Sequence, residues 1–176
     1  STVTEQPSAI FEAEFSPDGQ TIAIANASNT VEIWQVDGTL VTSLGSQESR
    51  VSALEFSADG SYLATASENG IVKLWDTDWD IRRDTDWDIR REPNRKLIST
   101  IAAHDSAISG LDISPDCQQL ATSSSDTTVK LWNKDGTLIN IYSGHDAEVY
   151  DVRFSPDGKT LASAGIEPLI RLWRVK

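Results

Sequence analysis

The chain has 176 residues, of which 39% are hydrophobic, and its formal net charge is −12. This length suits one domain with a substantial core. The acidic balance argues against binding to nucleic acid or to an anionic membrane surface, because phosphate contacts need clustered Lys and Arg. The lone cysteine, Cys117, suits a reducing compartment, and no apolar run is long enough to cross a bilayer. We therefore expect a cytoplasmic domain, neither membrane-bound nor exported.

One pattern of twenty residues occurs four times along the chain. The four segments read FSPDGQTIAIANASNTVEIW, FSADGSYLATASENGIVKLW, ISPDCQQLATSSSDTTVKLW and FSPDGKTLASAGIEPLIRLW, and they end at Trp34, Trp75, Trp132 and Trp173. Successive tryptophans are 41, 57 and 41 residues apart. The middle spacing is longer by the length of DTDWDIRRDTDWDIRR, residues 76–91, in which one octapeptide occurs twice. These residues are therefore an insertion in the repeat.

Each unit has the pattern of four short β-strands. An alternating run such as Val149–Phe154 precedes the S-P-D-G turn, which has the Pro, Asp and Gly of a tight turn. A second strand of small and aliphatic residues follows, and then a third strand that ends in Leu-Trp. The segment D-G-T-L begins a fourth strand, as at Thr137 to Tyr142. Four antiparallel strands in about 40 residues are typical of a propeller blade.

The units resemble the WD40-repeat (WD-repeat) β-propeller family over nearly the whole chain outside the insertion. The third unit, from Ala103-His104 to Trp132-Asn133, and the Gly144-His145 pair carry the resemblance best, whereas Gln6 and Gln47 occupy the His positions of the first two units. The resemblance implies an all-β propeller with four blades in a single domain, 1–176. The expected blades are about 5–44, 45–102 with the insertion at 76–91, 103–143, and 144–176.

In this family a His, a Ser or Thr, an acid and a Trp form a buried structural set in each blade. The matching residues are His104, Thr122, Asp126 and Trp132 in the third unit, and His145, Ser163, Glu167 and Trp173 in the fourth. A hydroxyl, a His and an acid also compose a hydrolase triad. We favour the structural interpretation, since the set recurs by blade and is degraded in the first two units. We expect no metal site on the two His residues.

Four blades are too few for the rings of seven or eight that this family usually forms. A half-ring would expose two apolar flanks and an unpaired strand edge. The chain ends after a third strand, while Ser1, Thr2, Val3 and Thr4 align with an outer strand. We expect a homodimer in which residues 1–4 of each chain complete the fourth blade of its partner, giving eight blades in one ring. A fragment of a longer propeller and a compact four-bladed monomer are the alternatives.

The insertion has several possible roles. The spacing of Asp76, Asp78 and Asp80 is like the start of a calcium loop, but Ile81 and Trp87 stand where Gly and Glu are needed. Trp79 and Trp87 are amphipathic anchors of the kind that dominate protein interfaces, so the segment could contact a partner or the twin subunit. A locally packed hairpin that arose by duplication is the interpretation we favour.

No feature of the sequence supports chemistry, so we expect a non-catalytic protein-interaction scaffold without a cofactor. A half-propeller without independent function and a hydrolase with a site on the propeller axis are the alternatives. The candidate contact surfaces are the loops before each first strand and those between the second and third strands. They include Gln47, Glu48, Arg50, Asp105, Ala107, Asp146 and Glu148. Their acidity favours partners with basic segments. Cys117 replaces a turn glycine, and we expect a surface thiol there, not a nucleophile.

Overall fold

The computed structural model describes residues 8–78 and 97–175. These residues form fifteen β-strands, which we number β1 to β15 in chain order. The strands are β1 (Ile10–Phe15), β2 (Thr21–Asn26), β3 (Thr30–Gln35), β4 (Leu40–Ser46), β5 (Val51–Phe56), β6 (Tyr62–Ser67), β7 (Ile71–Asp76), β8 (Leu97–Ala102), β9 (Ile108–Ile113), β10 (Gln119–Ser124), β11 (Thr128–Asn133), β12 (Leu138–Ser143), β13 (Val149–Phe154), β14 (Thr160–Gly165) and β15 (Ile170–Arg174).

The strands form four antiparallel sheets that follow chain order. Blade 1 is β1-β2-β3-β4, blade 2 is β5-β6-β7-β8, blade 3 is β9-β10-β11-β12, and blade 4 is the three-stranded sheet β13-β14-β15. The first strands of successive blades lie side by side, β1 by β5, β5 by β9 and β9 by β13. The prediction of an all-β fold of antiparallel blades is confirmed. The insertion lies between the third and fourth strands of blade 2, and residues 79–96, including Trp79 and Trp87, are outside the described residues.

The turns between first and second strands have one geometry in all four blades. In blade 1 the Asp18 carboxylate accepts a hydrogen bond from the Ser16 hydroxyl at 2.6 Å and from the Gln20 amide at 3.0 Å. Gly19 has a φ of 67°, in the left-handed region. Cys117 adopts the same conformation, with a φ of 60°, at the position where the other three turns have glycine.

The hydrophobic core consists of three clusters, one between each pair of neighbouring blades. The cluster between blades 1 and 2 joins Val31 and Ile33 of one sheet to Leu54 of the next. The other two clusters repeat this arrangement between blades 2 and 3 and between blades 3 and 4. Blades 2 and 3 therefore use their two faces on two different neighbours, as expected for a propeller, while blades 1 and 4 each use one face.

Within the described ranges, no helix is long and apolar enough to span a membrane. The same residues contain no group of three or more His, Cys, Asp or Glu side chains placed to hold a metal ion.

Candidate functional site

The four candidate residues of blade 3 form one chain of hydrogen bonds. The Trp132 indole N–H can only donate, so the Thr122 Oγ1 atom, 3.1 Å away, accepts from it. The Thr122 hydroxyl proton then goes to His104 Nε2 at 2.8 Å, and the His104 Nδ1–H donates to Asp126 Oδ2 at 2.7 Å. Every polar atom of this chain has a partner, which fixes the tautomer of His104.

Burial and hydrogen bonding set the charges of this network. Burial lowers the pKa of His104, against the raising effect of Asp126. The pKa of Asp126 is also below its ordinary value, because hydrogen bonds from Thr128 and His104 outweigh the burial that would raise it. A neutral His104 therefore donates to an ionised Asp126 at neutral pH. The order hydroxyl, imidazole, carboxylate is that of a hydrolase triad, but Thr122 is 0% exposed and its oxygen already accepts from Trp132.

Blade 4 places its set in a similar but incomplete arrangement. Ser163 Oγ lies 2.8 Å from His145 Nε2 and accepts from the Trp173 indole N–H at 2.8 Å. Glu167, one methylene longer than Asp126, accepts instead from the backbone amides of Asp146 and Ala147. Its other oxygen is 3.5 Å from His145 Nδ1, which has no hydrogen-bond partner among the described residues.

The first two blades lack the His-centred network. In blade 2 the Trp75 indole donates to Thr65 at 3.2 Å, but Gln47 reaches only the carbonyl of Gly45, at 3.3 Å, and that of Leu44. In blade 1 the indole of Trp34 donates to Glu32. Gln6 lies outside the described residues.

The proposed contact loops lie together at one end of the sheets, where fourth strands lead into first strands. Glu48, Asp105, Asp146 and Glu148 are exposed, and Ala107 is half-buried. Arg50 is exposed, forms an ion pair with Glu68 at 2.9 Å and stacks over the ring of Phe11 at 4.0 Å. Gln47 is only 3% exposed and donates to backbone carbonyls of its own loop, so it offers no contact surface.

Cys117 was predicted to be a surface thiol, and this is wrong. It is 5% exposed, because the β9–β10 turn packs against blade 2 and the Tyr62 hydroxyl donates to the Cys117 carbonyl at 3.2 Å. The replacement of glycine gave no indication of this contact, which joins residues far apart in the chain.

The free face of blade 4 is apolar and exposed. Ile170 and Leu172 are 72% and 71% exposed. The residues at the same positions in the other blades are 0–1% exposed: Val31, Val72 and Val129 for Ile170, and Ile33, Leu74 and Leu131 for Leu172. Blade 4 therefore presents to solvent the surface that each other blade buries against its successor.

The free face of blade 1 shows the complementary exposure. Ile10 and Phe15 are 48% and 58% exposed, although Val51 and Phe56 occupy those positions in blade 2 and are 2% and 6% exposed. In addition, none of the described strands pairs with the outer side of β15, whereas β3, β7 and β11 pair with β4, β8 and β12. Both flanks and one edge of the described chain are thus open. We call these two faces the blade 1 flank and the blade 4 flank.

A second feature, which sequence analysis missed, is a cluster of charges on the innermost strands. Glu14, Glu55, Asp112 and Arg153 occupy the same position of β1, β5, β9 and β13. Arg153 Nη1 lies 3.9 Å from both Glu55 and Asp112, and it donates to the Leu111 carbonyl at 2.8 Å. The signal was available, since a charged residue precedes the last residue of every first strand, between apolar neighbours.

Burial controls the protonation of these carboxyl groups. It raises the pKa of Glu55 to about 7, with further raising by Asp112 and Glu14, against the lowering effect of Arg153. Burial also raises the pKa of Asp112 and of Glu14. Neither His residue reaches this cluster, because both lie in the blade networks.

Comparison with known proteins gives three findings. The family model described as "WD domain, G-beta repeat" matches residues 38–76, 95–133 and 136–174. Each match begins at or just before a fourth strand and ends at the third strand of the next blade. Over 64 residues the chain is 36% identical to eukaryotic translation initiation factor 3 subunit I of Aspergillus niger. The aligned residues make up 36% of this chain and 19% of that protein. The chain thus spans about a fifth of the length of that relative.

The crystal structure of the computationally designed Ika4 protein is similar over 99% of this chain and 96% of the other, with a TM-score of 0.81. The sequence identity is 21%, so this likeness concerns the fold alone.

The blade 3 network predicts the effect of Thr122→Val. The valine is nearly isosteric but leaves both His104 Nε2 and the Trp132 indole without a buried partner. We expect a loss of about 1–3 kcal/mol in the free energy of unfolding, measured by urea titration. Thr100→Val, at an exposed strand position of β8, is the matched control and should change it by less than about 0.5 kcal/mol. Equal effects of the two substitutions would contradict the role of the network.

The charge cluster of Glu14, Glu55, Asp112 and Arg153, which we call the axial cluster, predicts that the stability of the fold depends on pH. The pKa of Glu55 rises from 4.5 to about 7 on folding, so the folded chain holds this proton more tightly than the unfolded chain. The corresponding stability is fully present below pH 4.5 and is lost as the pH rises through 7. We expect Glu55→Gln, relative to wild type, to gain about 2–3 kcal/mol in unfolding free energy between pH 4.5 and pH 8. Glu48→Gln, at an exposed loop, should follow the wild-type pH profile, and a parallel profile for Glu55→Gln would refute the assignment.

Proposed function

Because the chain belongs to the WD40 repeat family, we propose that it is a non-catalytic protein-interaction scaffold whose working form is an eight-bladed ring of two copies. The observation that carries the proposal is the pair of open flanks. The residues of the blade 4 flank occupy strand positions that blades 1 to 3 bury against the blade that follows them. The residues of the blade 1 flank occupy positions that blades 2 to 4 bury against the blade that precedes them.

Contiguous exposed apolar faces mark association sites. The blade 4 flank and the blade 1 flank belong to different ends of one chain, so a contact between them joins different surfaces of two copies. Such a heterologous contact closes only when the rotations add up to a full turn. Two sets of four blades fulfil this condition in the eight-bladed ring, within the range that propellers use.

The unpaired edge of β15 supports the same assembly. In blade 3 the outer strand pairs with its neighbour so that Val129 lies opposite Tyr142 and Leu131 opposite Asn140. Since residues 1–4 align with residues 140–143, an equivalent pairing would place Val3 of the partner copy opposite Ile170, and Ser1 opposite Leu172. This exchange of Ser1, Thr2, Val3 and Thr4 would give the unpaired N–H and C=O groups of β15 partners.

Ring formation would collect the contact loops of all blades on one rim. The exposed carboxylates of Glu48, Asp105, Asp146 and Glu148 outnumber the single arginine of these loops, Arg50, which Glu68 already pairs. We therefore propose protein partners with a basic segment as the ligands of this rim.

The assembly is tested by light scattering on a size-exclusion column. We expect wild type to have twice the 19.3 kDa mass of one chain. Leu172→Asp places a charge on the blade 4 flank, where it would be buried without a partner, and should give the single-chain mass. Leu138→Asp, on the exposed outer strand β12, is the matched control and should remain a dimer. Removal of residues 1–5 should weaken the dimer if the strand exchange occurs. A single-chain mass for wild type would contradict the ring.

The rim is tested with a fluorescein-labelled decapeptide of alternating lysine and glycine. Neutralising the rim with Glu48→Gln, Asp105→Asn, Asp146→Asn and Glu148→Gln should weaken its binding at least fivefold in fluorescence anisotropy at physiological salt. The control neutralises four carboxylates at the opposite end, Asp18, Asp37, Asp135 and Asp157, each to Asn. It causes the same change of net charge, so equal losses would show that the peptide senses only total charge.

A further inference from the structure

One position of the first strand always points to the next blade. In blade 2 the Ser52 hydroxyl donates to the Ile108 carbonyl at 2.6 Å, and in blade 3 the Ser109 hydroxyl donates to the Val149 carbonyl at 2.5 Å. Both acceptors are the first residue of the following blade. In blade 1 the same position is Phe11, whose ring lies under Arg50, just before the first strand of blade 2.

Blade 4 has Tyr150 at this position, and 51% of it is exposed. We call the contacts between neighbouring blades of one chain the internal seams. At this position the first internal seam pairs Phe11 with Arg50. The other two have the small side chains of Ser52 and Ser109, for which the next blade needs little space. In the proposed ring, the residue facing Tyr150 would be the counterpart of Arg50 in blade 1, which is the exposed Ala9. A large aromatic side chain would therefore meet a small one at this seam.

A second pair of positions differs in the same way, with a larger residue on the blade 4 flank and a smaller one on the blade 1 flank. Each internal cluster combines a valine of a third strand with a Leu or Val of the next first strand: Val31 with Leu54, Val72 with Leu111, and Val129 with Val152. At the open flanks these positions are Ile170 and Ala13. The blade 4 flank has gained a methylene group where the blade 1 flank has lost two or three carbons. Close packing makes such compensation favourable and its absence costly.

The charged residues of the first strands are also complementary at the proposed joint. Arg153 lies 3.9 Å from Asp112, the residue at its own position in the preceding blade. The residue at that position in the blade that follows in the ring would be Glu14 of the second copy. Arg153 would then lie between two carboxylates, that of Asp112 in its own chain and that of Glu14 in the second copy.

We propose that Ala9 and Ala13 on the blade 1 flank form two holes that Tyr150 and Ile170 of a second copy fill, and that this fit selects blade 4 on blade 1 as the joint between copies. The proposal rests on the eight-bladed ring and names the residues that specify its joint. Further blades of a longer chain on the same flank are the competing occupant.

The test compares a single and a double substitution at the joint, each read as the dimer dissociation constant in sedimentation equilibrium. Ala13→Leu restores the residue of the internal seams and fills the hole, so we expect the dissociation constant to rise at least tenfold. Ile170→Val, combined with Ala13→Leu, restores the size relation of the internal seams and should bring it back to within about threefold of wild type. Ala102→Leu, at an exposed position of the outer strand β8, is the matched control and should leave it unchanged.

The outcomes separate the two proposals. A wild-type chain that is monomeric over the whole concentration range overturns the ring and this joint with it. A dimeric wild type whose affinity is unaffected by Ala13→Leu, or is not recovered by the second substitution, overturns the joint and leaves the ring standing. If Ala13→Leu lowers the melting temperature of the chain, Tyr150→Ser replaces it, since it restores the side chain of Ser52 and Ser109. A tenfold weaker dimer then supports the joint, and unchanged affinity overturns it.

Discussion

The structure depends on burying the faces of each blade against its neighbouring blades. A single blade of three or four strands cannot hide either face by itself, so the core is divided among the seams and not collected at one centre. The next blade in the chain is the reason for the burial of Val31, Val72 and Val129. Ile170 is exposed for the same reason, since the described chain offers it no next blade. The apolar surface of blade 4 is thus a consequence of repetition, and it is also the strongest indication of what the chain binds.

The polar networks add specificity to this core, but they are not equally complete in every blade. In blade 3 each donor and acceptor of the chain from Trp132 to Asp126 is satisfied, so loss of one member leaves another one buried and unpaired. Blade 2 keeps only part of the set. There Gln47 replaces His and Asn69 stands at the acid position, and the Gln47 Oε1 atom is buried without a hydrogen-bond partner among the described residues. The indole of Trp75 keeps its hydroxyl acceptor in Thr65.

Repetition also determines how far the sequence could predict the molecule. Strand order and antiparallel pairing follow from local alternation and turn residues, which occur four times and therefore reinforce each other. Contacts between blades do not follow from such local signals. Cys117 was expected at the surface because it replaces a turn glycine, yet its turn packs against another blade, whose Tyr62 donates to the Cys117 carbonyl. Gln47 looked like a loop residue, but its position in the repeat, that of His104, places it inside. The axial charges were overlooked because each one appears as a polar residue of an alternating strand, and only the packing of four first strands brings them together.

Association of two copies would set apolar burial against axial repulsion. Each seam would cover several side chains that are now largely exposed, and full burial of one such side chain is worth about 1.5–3 kcal/mol. Association also costs translational and rotational freedom. Charges on the innermost strands would further oppose the gain. The axis of each copy holds Glu14, Glu55 and Asp112 with Arg153 near two of them, and closing the ring doubles this excess of acid. Because burial already raises the pKa of Glu55 to about 7, the innermost carboxyl groups can shed part of the repulsion by keeping a proton. The apolar flanks would therefore decide whether the ring forms, and the axial carboxylates would decide under which conditions it holds.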